Sequence, residues 1–290
     1  MPPRHLLLAL LAVFIWGTNF VVIKIALNAL PPLLLATLRF AAASLPFLFF
    51  VKRPSAPWKW LVSAGVAIGA GQFGLLFVAM RADIAPGLAS LVIQIQVFFT
   101  IVLAAVVMHE RVQVWQIIGL ILATFGIATI AWHLDATVTA LGLTLVLIAA
   151  LCWALGNLAT KLARTRDMFA FTIWSSVFAV PPLLVLSLSL EGWPAMRAGL
   201  LAADASIWTA VLWQALGNTI LGYGIWNWLL ARHPAAAVTP MALLVPVFGM
   251  AASAQWLGEP MQAWKLTAAA CVILGIGIAV LWPKVRTKRS

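Results

Sequence analysis

The chain's most constraining feature is a recurring apolar run about twenty residues long, broken by turns of only a few residues. The first, Leu6 to Leu27, opens with the octet "LLLALLAV". A membrane-spanning helix needs roughly 20 mostly apolar residues. Ten such spans are read, at 6–27, 31–51, 58–80, 84–108, 112–132, 138–163, 168–190, 206–231, 235–257 and 261–282. Connections as short as "NALP" and "HERV" force neighbouring helices to run antiparallel, and the longest connection is expected at 191–205. The first run carries no small-residue cleavage pattern and is long enough to span, so it reads as a span rather than a leader.

Composition agrees with the pattern. The chain is 64% hydrophobic and 9% charged, whereas soluble domains are about half apolar and a quarter charged. The net charge of +11 does not point to nucleic acid, because the basic residues sit between apolar runs and form no basic face interleaved with aromatics. They set topology instead. Thirteen lysines and arginines fall on one side (Arg4, Lys52, Arg53, Lys59, Arg111, Lys161, Arg164, Arg166, Arg232, Lys284, Arg286, Lys288 and Arg289). Four fall on the other (Lys24, Arg81, Arg197 and Lys265), which places both termini in the cytoplasm. Trp58, Trp60, Trp115, Trp132, Trp193, Trp208, Trp264 and Trp282 mark span ends as interfacial anchors. Cys152 and Cys271 lie inside apolar runs and read as small buried hydrophobes.

The two halves echo each other. Trp16 precedes Lys24 by eight residues in "WGTNFVVIK", and Trp153 precedes Lys161 by eight in "WALGNLATK". Later, "ERVQVWQIIGLILATFGI" (110–127) aligns without gaps on "EPMQAWKLTAAACVILGI" (259–276), matching Glu110 to Glu259 and Trp115 to Trp264. Five spans is an odd number, so the second copy enters the membrane from the opposite side. The expected architecture is all-α, with ten transmembrane helices in a 5+5 inverted-topology repeat. Inverted repeats of this kind build alternating access around a site near the midplane.

The polar groups narrow the function. The carboxylates Asp83, Glu110, Asp135, Asp167, Glu191, Asp204 and Glu259 all fall at span ends or in turns, as do the four histidines. No intramembrane metal cluster or nucleophile–base pair emerges, which argues against a membrane enzyme and implies no cofactor. The lack of a buried carboxylate also argues against an antiporter of cationic drugs. Inside the spans remain Asn19, Arg39, Gln72, Gln94, Gln96, Asn157, Gln214, Asn218, Tyr223 and Asn227. Arg39 has two readings, a counter-charge for a carboxylate or a packing residue bonded to carbonyls or reaching outward. Trp16 and Trp153, near the middle of spans 1 and 6, either face a central cavity from opposing copies or fill helix interfaces. Trp153, Asn157 and Lys161 form one helical stripe, and Trp16 and Asn19 share a face. Lys24 and Lys161 read as snorkelling charges near span ends. Gln94 and Gln96 point to nearly opposite faces, so at most one is expected to meet substrate. In span 8, Gln214 and Asn218 share one face and Tyr223, Trp226 and Asn227 another, unless Gly222 and Gly224 bend the helix. Gly65 and Gly69 form a GxxxG contact in span 3, while Pro240 and Pro246 interrupt span 9 and Pro86 opens span 4.

Five blocks in order carry a resemblance over essentially the whole chain: "WGTNFVVIK" (16–24), "PPLLLATLRF" (31–40), "GLASLVIQIQVFFTIVL" (87–103), "GYGIW" (222–226) and "LLVPVFGMAASAQWLGE" (243–259). The chain resembles the drug/metabolite transporter superfamily in its ten-helix EamA branch. That resemblance implies two five-helix repeats, over 1–135 and 136–290, and a central cavity formed largely by spans 1, 3, 4, 6, 8 and 9. It implies export of amino acids and related metabolites across the bacterial inner membrane. Trp16, Asn19, Gln94, Tyr223 and Trp226 fall in the family's motif stretches, and Gln72 and Asn157 lie in matching spans. His109 departs from the glycine usual before the motif glutamate, at a surface turn. With Arg39, Trp153 and Asn218 these are the candidate substrate-binding residues. The partners expected are a small-molecule substrate and the lipid bilayer; a unit with its own repeat needs no second copy to form a cavity. Competing readings are a carrier of a drug, sugar or phosphorylated metabolite, or a lipid scramblase. A phosphate carrier calls for several deep basic groups, and Arg39 is the only one.

Overall fold

A computed structural model describes residues 2–109, 112–135, 137–233 and 238–286. The helices are α1 (Pro3–Ala26), α2 (Pro32–Phe49), α3 (Trp58–Ala82), α4 (Pro86–Met108), α5 (Val114–Trp132), α6 (Ala140–Ala163), α7 (168–191), α8 (Gly192–Ala202), α9 (205–232), α10 (239–257) and α11 (Ala263–Arg286). Among the described residues there is no strand, only isolated bridges joining Ile84 and Asp135 to Val138. Eight helical stretches are long and apolar enough to cross a membrane, and Met241–Leu257 is a shorter apolar helix. The helix expected over 206–231 forms but is not among the eight, since Gln214, Asn218 and Thr219 dilute its hydropathy.

Local chemistry explains the helix starts. Proline occupies the first turn of α2 (Pro32) and of α4 (Pro86), where no backbone donor is lost. The side chains of Thr139, Asp167 and Asp204 accept from Gly142, Ala170 and Ile207, capping α6, α7 and α9. Gln113 and Gln116 close α5 with a reciprocal capping box. The stretch expected as the longest connection is mostly helix α8. Its alanines, leucines and methionine favour helix, and Gly192, at φ +80°, turns the chain into it from α7.

Helix α5 packs along α11, α1 along α10, α2 along α7, and α6 against α3 and α4. A β-carbon on Gly65 would strike the Ser175 carbonyl, and one on Gly69 would strike the Ala179 β-carbon, so the GxxxG face sets the contact of α3 with α7. Large apolar side chains such as Leu7, Val106, Ile121 and Phe125 are exposed on the outside, as lipid-facing surfaces are.

Beyond the 3-10 end of α2 at Leu45–Phe49 and the π-helical end of α7 at Ser187–Glu191, four helices are irregular within their length, at corresponding places in the two halves. Helix α3 widens to a π-helix over Val66–Gly74, and α9 does so over Trp213–Gly222. Helix α4 tightens to a 3-10 turn at Ile93–Ile95, and α10 begins as one at Thr239–Leu244, beside Pro240 and Pro246. Such departures from the α-helix occur mostly at functional sites. Glu110, Arg111, Ala136, the start of the ninth span at 235–237, Lys288 and Arg289 lie outside the described residues, as do the side chains of Asn227, Pro240 and Trp282.

Candidate functional site

The irregular stretches surround one central cavity of about 720 Å³. Nine of the ten candidate residues line it: Trp16, Asn19, Gln72, Gln94, Trp153, Asn157, Asn218, Tyr223 and Trp226. They come from α1, α3, α4, α6 and α9. The wall also takes Ala242, Leu243 and Val245 of α10, Gln116 of α5, and Ile276, Ala279 and Val280 of α11. The last two helices add to the six-span cavity that the resemblance implied.

One wall is aromatic. The Trp16 ring lies 5.0 Å from Trp226 and 5.1 Å from Tyr223, centroid to centroid. Its Nε1 donates to the Asn218 carbonyl at 3.3 Å, a carbonyl inside the π-helical stretch of α9. Gly222 makes this docking possible, because a β-carbon there would sit 2.5 Å from Trp16 Nε1. The π-helical turn, not a glycine bend, brings Asn218, Tyr223 and Trp226 to the same cavity. Aromatic faces of this kind accept apolar or cationic groups.

The rest of the lining is amide-rich. Asn157 Nδ2 donates to Gln96 Oε1 at 2.9 Å and to Thr100 Oγ1 at 3.4 Å, tying α6 to α4. Asn19 Oδ1 and Gln72 Oε1 are buried and accept no hydrogen bond from the protein. Two findings correct the sequence reading. Gln94 and Gln96 both line the cavity; the 3-10 turn between them brings their directions to about 120° apart instead of about 160°. Lys24 does not simply snorkel, because its Nζ donates to the Met80 and Arg81 carbonyls at 2.9 Å each, capping the end of α3. Lys161 is exposed, as expected of its position. Sequence reasoning missed Thr100, Phe20, Phe73 and Gln116, since apolar and helix-end residues carry no mark of which way they face.

Arg39 is the candidate that does not line the cavity. It is wholly buried in α2, with its guanidinium carbon 3.8 Å from the centre of the Phe73 ring, and Phe73 is itself a cavity wall. Gln214 is likewise buried away from the cavity.

The described carboxylates are all engaged at helix ends. Asp83 accepts from Thr139, Asp135 from Thr137, and Asp167 and Asp204 cap helices. Glu191 takes the Leu33 and Leu34 amides at the start of α2 at 2.6 and 3.0 Å. Glu259 takes the Gly87 amide at 3.0 Å, the Ser253 hydroxyl, and Lys265 Nζ at 3.2 Å. Together with Lys24, and with Arg81 donating to the Leu30 carbonyl at 3.0 Å, the bonds of Asp83, Asp135, Glu191, Asp204 and Glu259 tie the helix ends at one end of the bundle to one another, while Asp167 lies at the other. The cavity reaches instead toward Gln116, in the first turn of α5.

Comparison with known proteins adds a frame. The model of the EamA-like transporter family matches residues 4–132 and again 140–281. A Salmonella typhimurium protein named "Probable amino-acid metabolite efflux pump" is 41% identical over 285 residues, covering 96% of this chain and 95% of its own. An Escherichia coli protein of the same name is 40% identical, with 94% and 93% covered. A "Probable terminal-alkyne amino-acid exporter" from Streptantibioticus cattleyicolor is 29% identical, with 92% and 90% covered. A solved structure described only as "Crystal structure of protein" superposes with a TM-score of 0.60 over 97% of each chain at 17% identity, a likeness of fold.

Proposed function

Because the chain belongs to the EamA-like transporter family, we propose that it exports amino acids and related metabolites by alternating access around the central cavity. Members of this family are multi-pass transporters rather than enzymes, and this chain is a small-molecule exporter of the bacterial inner membrane. The observation that carries the amino-acid reading is a single cavity facing Trp16 and Trp153 from opposite halves, lined by amides and by none of the described carboxylates. Trp16, Tyr223, Trp226 and Trp153 hold the apolar side chain. Asn19, Gln72, Gln94, Asn157 and Asn218 offer both donors and acceptors, which suits a zwitterion.

Two family matches of similar length support the division into repeats over 1–135 and 136–290, as do the paired π-helical and 3-10 stretches. The uneven ends support alternating access, one tied by the Glu259–Lys265 ion pair, caps and bonds to carbonyls and the other reached by the cavity. Thirteen basic residues against four put the termini, and the reached end, in the cytoplasm. The names of the relatives support amino-acid cargo, and the aromatic wall supports a broad range of side chains.

The test is uptake of a panel of labelled L-amino acids into proteoliposomes, with and without a pH gradient. Trp16→Ala and Trp153→Ala are expected to abolish uptake while the protein still elutes as a folded species. Wild-type rates in both variants would sink the cavity as the transport route.

A further inference from the structure

Arg39 is fully buried in the middle of α2, yet none of the described carboxylates pairs with it. Among the described residues its one hydrogen bond is a long one, from Nη2 to Thr219 Oγ1 at 3.4 Å, and neither Nε nor Nη1 has an acceptor. The Thr219 hydroxyl itself donates to the Gln214 carbonyl at 3.0 Å, which leaves its oxygen to accept from Arg39. The Gln214 side chain, five residues earlier on the same π-helical stretch, is fully buried with both amide atoms unpartnered. What covers the guanidinium is aromatic, with Phe73 at 3.8 Å and Phe40 at 5.4 Å from ring centre to Cζ. Phe73 is at the same time a wall of the cavity.

Burying a cation without an anion is costly, and ring contacts offset only part of that cost. Each described carboxylate is committed at a helix end or in a turn, so among the described residues nothing supplies the missing negative charge, and an incoming anion would. A guanidinium with free donors in a rigid fork is the group best matched to a carboxylate.

We propose that Arg39 is the carboxylate subsite of the transporter, reached from the cavity when the Phe73 ring turns aside. This rests on the amino-acid reading above and deepens it. The aromatic wall holds the side chain of the cargo, and the carboxylate moves behind Phe73 to complete the charge that α2 leaves open. The chemistry selected is one free carboxylate. Esters and decarboxylated amines lack it and stay in the outer cavity.

The experiment compares ligand-induced thermal stabilisation of the purified protein by the best-transported amino acid of the panel and by its methyl ester. In the wild type the free acid is expected to bind about tenfold or more tightly than the ester. In Arg39→Met that preference collapses to about one, because the acid loses affinity and the ester keeps it. Arg39→Lys keeps the charge without the fork and lands in between. An acid-over-ester preference unchanged in Arg39→Met overturns the proposal. If that variant does not fold, an unchanged preference in Arg39→Lys does the same, and a reduced one supports it. Should the wild type carry no amino acid at all, the export reading falls, and 4-methylpentanoate against its methyl ester then decides the subsite on its own.

Discussion

Lys265 and Arg39 are both cations buried without exposed surface, and the fold surrounds them in opposite ways. Lys265, near the start of α11, faces Glu259 at 3.2 Å, and that carboxylate also takes the Gly87 amide and the Ser253 hydroxyl. The charge is neutralised on the spot, and the network fastens α4, α10 and α11 at one end of the bundle. Arg39 has no carboxylate among the described residues, only two rings and one long hydrogen bond. A charge that serves architecture is fully answered within the chain. One left unanswered beside a cavity is available to cargo.

The largest effect expected from perturbing this pair falls on the Lys265 network. Glu259→Ala leaves a buried ammonium, an amide and a hydroxyl without their partner, and is expected to lower stability by ~3–5 kcal/mol. Removing the cation as well, in Glu259→Ala with Lys265→Met, recovers most of the loss. Thermal unfolding in detergent reads both, and an unchanged Tm in the single variant would show that the pair is not structural. Arg39→Met carries the opposite sign in the same assay. Losing the desolvation of an unpaired charge offsets the lost ring contacts, so stability stays level or rises by about 1 kcal/mol. A loss as large as that of Glu259→Ala would make Arg39 a second structural charge.

The smallest effect lies at the other end, where His5 and His233 meet at 2.6 Å between ring nitrogens. Partial burial and then the neighbouring His5 and Arg232 hold His233 below its ordinary value of 6.5. The folded state therefore takes up its proton less readily than the unfolded chain. The contact is intact above pH 6.5, and its contribution is lost as pH falls through the range just below. A Tm that declines slightly on mild acidification in the wild type, and not in His233→Gln, checks the sign.

Hydropathy located the helices closely. The span expected at 58–80 is Trp58–Ala82, and that at 112–132 is Val114–Trp132. Helix α8 hid in the connection at 191–205 because a short amphipathic helix carries too few apolar residues to register as a span. The π-helical and 3-10 stretches were not legible either. They depend on how Gly69, Gly74 and Gly222 let neighbouring helices approach, which is tertiary information. The same irregularities decide the site, which is why the sequence placed Trp153 and Asn157 on one cavity face but set Gln96 aside. Arg39 shows the opposite limit. Burial of a charge is visible in the sequence, whereas the Phe73 ring that screens it from the cavity is not.

The guanidinium of Arg39 stays protonated throughout the physiological pH range, so the protein holds a fixed charge in the electric field of the membrane. Moving one elementary charge across the whole bilayer at 100 mV changes the free energy by about 2.3 kcal/mol. A conformational step that carries Arg39 a tenth of the way along the membrane normal therefore shifts its equilibrium by about 0.2 kcal/mol per 100 mV. Lys265 and Glu259 move together as a neutral pair and contribute nothing. Even for a zwitterionic cargo with no net charge, the rate of such a step would respond to membrane voltage, because the cargo's ammonium restores the charge that its carboxylate neutralises at Arg39.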